Sequence, residues 1–251
     1  MIRPIVAAAV LLAGCVVTPL SNRIDVGEEA FVVVVGEGAD GNTDLFAAPA
    51  EGGVFRQLTY TRVAEDLPRL GPTGTKLAFV RRSAAAEAAT TTAIVMDLKT
   101  GLETEGVIPT PPAGLVRLGW SAGGDTVVAT GADGVWIAAA AKPLVWTAVA
   151  TDDRARWESL VRERVGDPEF GTVTACLSGV GLCVMSDGGE ETRLADGAID
   201  GRRWGPSAVG YLLDGVIQVR PLGAGRLRQP TWTSMPTNLR KPTHHPGSAP
   251  R

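Results

Sequence analysis

Few side chains in this sequence have the type and spacing to do chemistry. There are three cysteines and two histidines in 251 residues. Cys176 and Cys183 flank Leu177-Ser178-Gly179-Val180-Gly181-Leu182. A two-residue Gly179-Val180 turn sets their thiols opposite each other on paired strands, where an oxidising compartment permits a cross-strand disulfide; two buried free thiols are the alternative. His244 and His245 stand in a Pro-rich C-terminal stretch. The fold therefore has no histidine base for a serine or cysteine nucleophile, and no Gly-x-Ser-x-Gly elbow occurs. Two ligands on such a segment also make a poor metal site. Asp40, Asn42 and Asp44, with Glu51 in the twelfth position, have the spacing of calcium ligands, but Leu45 fills the sixth position, where the sharp turn needs glycine. A hairpin turn is expected there. The pairs Glu28-Glu29, Asp152-Asp153 and Glu190-Glu191 read as solvated turns, because neighbours on a strand point to opposite faces. Gly36-Glu37-Gly38 and Gly52-Gly53 lack the lysine and helix start of a phosphate loop. Neither an enzyme nor a cofactor or metal site is expected.

The third cysteine has a different setting. Arg3 supplies a positive charge, Ile5 to Ala13 is an unbroken apolar run, and the run ends in Leu12-Ala13-Gly14-Cys15. Charged start, short apolar run and small residues are the order of a secretory signal, too short to span a bilayer. The Leu-Ala-Gly-Cys ending resembles a bacterial lipobox. The resemblance implies cleavage before Cys15, a diacylglycerol on its thiol, and a new amino group open to acylation. Two or more acyl chains anchor stably without a transmembrane helix. With Val16 and not aspartate after Cys15, the sorting rule of Gram-negative lipoproteins implies the outer membrane, facing the periplasm.

Composition narrows the remaining classes. Loss of residues 1–14 removes one arginine and takes the formal charge from −3 to −4. That is neither a nucleic-acid-binding charge nor a polybasic membrane patch. Hydrophobic content of 45% suffices for a proper core, and no later stretch approaches eighteen consecutive apolar residues.

Five segments repeat a strand, a turn and a second strand, beginning at Asp44, Ala93, Val135, Leu182 and Val216. Each follows a β-rich run: 30–35, 76–80, 125–130, 172–177 and 208–213. Their starts lie 34 to 49 residues apart, and a four-stranded unit of about 40–50 residues is the length of a propeller blade. The run from Asp44 to Thr59 is followed by Pro68-Arg69-Leu70-Gly71-Pro72-Thr73-Gly74, leading into a strand through Phe79. Trp120-Ser121-Ala122-Gly123-Gly124 and Trp204-Gly205-Pro206 repeat that turn, and Glu169-Phe170-Gly171 is an eroded copy. These repeats resemble TolB-type, WD40-like propeller repeats over about residues 27–230, with Leu70 where tryptophan is usual and Thr73 where aspartate is. In the turns, Pro72 and Pro206 fix φ, and Gly74 and Gly124 permit a positive one. Trp120, Trp136, Trp146 and Trp204 read as packing between blades before they read as a sugar-binding groove.

The expected architecture is an all-β propeller of five four-stranded blades, with six as the rival count, and one short inserted helix. Residues 1–14 form the signal, 15–25 the lipidated tether, 26–230 the propeller and 231–251 a disordered Pro-rich tail. Residues 26–35 are a candidate strand for the last blade. Between 153 and 165, Trp157, Leu160, Val161 and Val165 fall at helical spacing, either packed on the ring or docking a partner. The TolB resemblance implies envelope scaffolding by binding another envelope protein. A receptor for a small ligand, sugar or ion in the channel is the alternative. Cys15→Ser is expected to abolish palmitate labelling and membrane fractionation; continued labelling would refute the anchor.

Overall fold

The computed structural model describes residues 24–38, 40–83, 90–109, 115–131, 134–162, 171–205, 208–223 and 226–245. The chain builds five antiparallel sheets in succession. The first holds β1 (Phe31–Glu37), β2 (Thr43–Pro49) and β4 (Arg56–Gln57), with the short β3 (Gly52–Val54) between the last two. The second holds β5 (Ala64–Leu70), β6 (Lys76–Ser83), β7 (Thr90–Asp97) and β8 (Glu103–Val107). The third holds β9 (Leu115–Trp120), β10 (Thr126–Gly131), β11 (Gly134–Ala139) and β12 (Thr147–Ala148). The fourth and fifth show three strands each among the described residues: β13 (Thr172–Ala175), β14 (Leu182–Met185) and β15 (Glu191–Ala195), then β16 (Ile199–Arg203), β17 (Ala208–Leu213) and β18 (Val216–Pro221). These are five blades of three or four strands, the arrangement of a β-propeller.

Blade one is buried on both faces, which explains its sequence. The run Phe31-Val32-Val33-Val34-Val35 is continuously apolar because alternate side chains serve alternate neighbours. Phe31, Val33 and Val35 pack with Leu77, Phe79 and Ile94 of the second blade. Val32 and Val34 pack with Trp204, Leu212 and Ile217 of the fifth. Blades two and three meet through Val80, Val95, Trp120 and Trp136, and blades four and five through Val184, Val209 and Tyr211. Indole N–H groups stitch these seams: Trp120 Nε1 donates to Arg69 O (2.9 Å) and Trp146 Nε1 to Gly106 O (3.3 Å). The four repeat tryptophans are buried packing residues.

No sixth sheet stands between β12 and β13 among the described residues. A helix, α1 (Arg154–Ser159), occupies that stretch after a 3₁₀ turn at Thr151–Asp153. It is shorter than the expected 153–165, because Leu160 N–H and Val161 N–H bond three residues back and tighten the end. Val161 packs on Val128 and Val135 of blade three, with Trp157 beside them. Val165 lies outside the described residues.

The tail departs most from expectation. Residues 231–245 are ordered as β19 (Thr231–Thr233) and β20 (Thr237–His245). β19 runs parallel to β3, with Trp232 Nε1 bonded to Pro49 O (2.9 Å). β20 pairs antiparallel with β1, from Glu37↔Thr237 to Phe31↔His245. The closing strand thus comes from the C-terminus and completes the first blade; residues 26–35 do not join the last one. Pro-rich composition suggested disorder, but β1 offers an unpaired edge whose backbone groups need partners, and that need outweighs local propensity. Lys241 fastens the closure from both sides. Its Nζ contacts both carboxylate oxygens of Asp66 on β5 (2.7 Å each), and its N–H donates to Asp200 on β16 (3.0 Å). Residues 246–251 lie outside the described residues. Deleting 237–251 is expected to abolish cooperative thermal unfolding, measured by circular dichroism; a wild-type melting curve would restore the reading of a dispensable tail.

Candidate functional site: the channel mouth and a braced hairpin

The inner strands β5, β9, β16 and β20 end together around one cavity of about 520 Å³, lined among others by Leu70, Trp120, Arg203 and Thr243. The turns that follow these strands form its mouth. In two of them Gly74 (φ +67) and Gly124 (φ +70) accept left-handed backbone, and their N–H groups close onto Gly71 O and Ser121 O. Pro72 bears on the next turn, with Cδ 3.2 Å from where a Gly124 Cβ would stand. Trp204 lies so close over Gly210 that a Cβ there would fall 2.1 Å from its ring. Pro206 and Cys15 lie outside the described residues. The expected turn residues therefore shape the rim and pack the blades.

Arginines give the cavity its chemistry, and sequence reading did not single them out. Arg69, Arg162, Arg202 and Arg203 line it, and no carboxylate does among the described lining residues. Arg69 Nε donates to Leu118 O (2.9 Å), while Trp120 donates back to Arg69 O, so β5 and β9 clasp each other. Arg203 Nε donates to Gly205 O (3.0 Å). The signal was available: Arg69 precedes Leu70-Gly71 as Arg203 precedes Trp204-Gly205.

A second feature lies at the opposite end of the strands. β13 and β14 are joined at the tip by a disulfide between Cys176 and Cys183, Cα atoms 4.9 Å apart. The cysteines are not directly opposite, as a two-residue turn would require. Cys183 pairs with Thr174, and Cys176 N–H donates to Gly181 O (3.2 Å). The loop is longer because Gly179 (φ +75) and Gly181 (φ +84) both take left-handed backbone. The sulfurs thus join diagonal neighbours on one face of the sheet. Glu191 Oε1 accepts from Leu177 N (2.6 Å), and Arg193 donates to Val180 O (3.1 Å). Leu177 and Val180 nevertheless stand 79% and 56% exposed. Cys176, Cys183 and Glu191 are within metal-binding distance of one another, but the disulfide removes both thiolates.

The buried acids are structural. Asp44 accepts from Gln57 Nε2 (2.9 Å), Thr59 Oγ1 (3.3 Å) and Thr61 N (3.4 Å), while Glu51 sits apart with Arg228 (3.2 Å). That separation excludes the calcium-loop arrangement. Asp40 instead caps its own turn through Asn42. Glu65 is fully buried and accepts from Arg81 Nε (2.8 Å) and Thr61 Oγ1 (3.2 Å); its Oε2 has no hydrogen-bond partner. Burial pushes both the Asp44 and Glu65 carboxyls above their ordinary values, more than their hydrogen bonds lower them. Burial alone would lower the Arg81 guanidinium, but Glu103 and Glu65 outweigh it and raise it. His244 and His245 lie on β20, opposite Val32 and Phe31.

No family profile and no curated protein matches the sequence. Solved structures similar to it include TolB from Acinetobacter baumannii, at 13% identity and TM-score 0.43, over 80% of this chain and 53% of that one. Another is the β-propeller domain of the Trilobed protease from Pyrococcus furiosus, at 13% identity and TM-score 0.42, over 80% of this chain and 81% of that one. The likeness is one of fold. The chain spans about half the length of the Acinetobacter TolB.

The raised Glu65 carboxyl has a consequence for stability. The native state binds its proton more tightly than the unfolded chain does, so this contribution is complete below the ordinary glutamate value of 4.5. It is lost as pH rises through the folded value. Glu65→Gln is therefore expected to gain on the wild type as pH climbs above 4.5, measured by urea unfolding at several pH values. A pH-independent difference would show that Glu65 is ionised without cost.

Proposed function

We propose that this chain is a lipid-anchored cell-envelope propeller that acts as a non-enzymatic scaffold, binding an envelope protein partner. The braced β13–β14 hairpin carries the reading. A disulfide and two side-chain-to-backbone bonds hold the tip, so little ordering remains to be done when a partner docks. The same tip offers Leu177 and Val180 to solvent, two adjacent apolar anchors. Their burial against the fold would be simpler if the hairpin served stability alone. The membrane is the other partner, through Cys15, and the outer membrane facing the periplasm is the location in a Gram-negative cell. Nucleic acid is not a partner for a chain of formal charge −3.

Action by binding rather than chemistry is supported by how the polar groups are used. Asp44, Glu65, Arg81 and Glu103 are joined in one network of hydrogen bonds and ion pairs linking blades one and two. The alternative, a channel receptor for a small ligand, sugar or ion, is favoured by the cavity of about 520 Å³ and its arginines.

In-cell crosslinking with the lipidated protein as bait, read by mass spectrometry, tests the scaffold. A saturable envelope partner is expected. Leu177→Asp with Val180→Asp should weaken its capture by about thirtyfold, the effect of losing one hot-spot side chain of about 2 kcal/mol. Undiminished capture would move the partner off the hairpin. A blank with folded, lipidated bait would favour the channel receptor.

A further inference from the structure

The arginine-lined cavity and the incoming chain share one face of the propeller. β5, β9, β16 and β20 all end at the cavity. Ile24 and Val26 are buried in the core between blades one and two. A Cβ at Gly27 would stand 3.1 Å from Thr75 Cγ2 and 3.4 Å from Thr73 O, in the turn that follows β5. Residues 24–27, the described residues nearest to Cys15, therefore stand beside the cavity mouth. Nine residue steps separate Cys15 from Ile24, a reach of about 30 Å at full extension. The seven residues of β5 give the ring a height of about 23 Å. A tether starting on this face would have to run almost straight along the outside of a blade to turn the other face towards its anchor.

From this geometry we infer that the mouth faces the membrane and takes the phosphate of an anionic phospholipid headgroup between Arg69, Arg162, Arg202 and Arg203. The inference rests on the anchor at Cys15 proposed above. Guanidinium is the side chain best shaped for phosphate oxygens, and its charge persists at every accessible pH. The outer turns of the same face add apolar contact. Leu98 N–H bonds Thr75 O and Ala140 N–H bonds Asp125 O, which ties the outer turns of blades two and three to the mouth. Those turns carry Leu102 and Val145, 71% and 64% exposed, placed to enter the headgroup layer. The rim itself is mixed in charge: Lys99 and Lys142 stand on the outer turns, and Asp25, Glu28 and Glu29 flank Gly27 beside the mouth, with Asp125 in the turn after β9. The positive charge that would recognise a headgroup is concentrated in the cavity.

Hydrogen exchange of the full processed protein on liposomes tests this. Liposomes of phosphatidylcholine alone are compared with liposomes that also contain phosphatidylglycerol. Exchange in segments 69–72, 119–122 and 202–205 is expected to slow on the anionic liposomes only. The slowing should be lost in Arg202→Gln/Arg203→Gln and retained in Arg202→Lys/Arg203→Lys; if the glutamine variant fails to fold, the wild-type lipid comparison decides. Equal exchange on both liposomes would overturn the headgroup site. Equal slowing by inorganic phosphate on phosphatidylcholine would assign the cavity to a soluble anion and overturn the lipid assignment. The mass of the N-terminal peptide reports the anchor separately: an unlipidated protein still meets the liposomes from solution, so loss of the anchor and loss of the site are distinguishable.

Discussion

Pairing between the last strand and the first holds the molecule as a ring. A blade shields its faces only against its neighbours, so a row of five has two exposed ends until the row closes. β20 closes it by pairing with β1 from Phe31 to Glu37, through two register shifts, and it lies beside β5 and β16. The Lys241 bonds to Asp66 and Asp200 then fix that strand to the blades on either side. Loss of this one pairing would uncover the backbone edge of β1 and the apolar faces of blades one and five together. The mouth of the channel also depends on it, since Thr243 of β20 forms part of the cavity wall.

Closure is reinforced by side chains that reach across seams. The indoles of Trp120, Trp146 and Trp232 each fill apolar space and end on a backbone carbonyl of another segment. That pairing of a large apolar body with one satisfied polar group is what a seam between sheets requires. The seam at α1 is built differently, with Val161 and Trp157 against Val128, Val135 and Ile137. There the spacing between repeats is longest after the first, and helix fills space that strands fill elsewhere.

The fold was legible because its causes are local and periodic. Both-face burial writes continuous apolar runs such as 31–35, and turns such as those at Gly74 and Gly124 place a glycine in left-handed backbone, so blades can be counted from composition and spacing. The closing strand was not legible. Residues 237–245 contain Pro242, two lysine or arginine side chains and no apolar alternation, and their state is decided by an edge two hundred residues away. The hairpin register failed for a related reason: two glycines allow several turns, and only the neighbouring strands select one. The arginine cluster was only partly legible: Arg69 and Arg203 hold matching places before two repeat turns, but its members come from three separate segments of the chain. Chemistry assembled by topology leaves no contiguous motif.

The pairing of β1 with β20 also governs the order in which the protein can be made. Phe31 meets His245 only after residue 245 has emerged. Contacts of such sequence separation carry a large loop-closure cost and slow the final folding step. Blades two to five can assemble as they appear, whereas blade one must wait with an open edge. That interval is one of exposure to proteases and to other unfolded chains. A chain cut anywhere before residue 237 would lack the strand that pairs with β1 and would keep that edge and the faces beside it exposed.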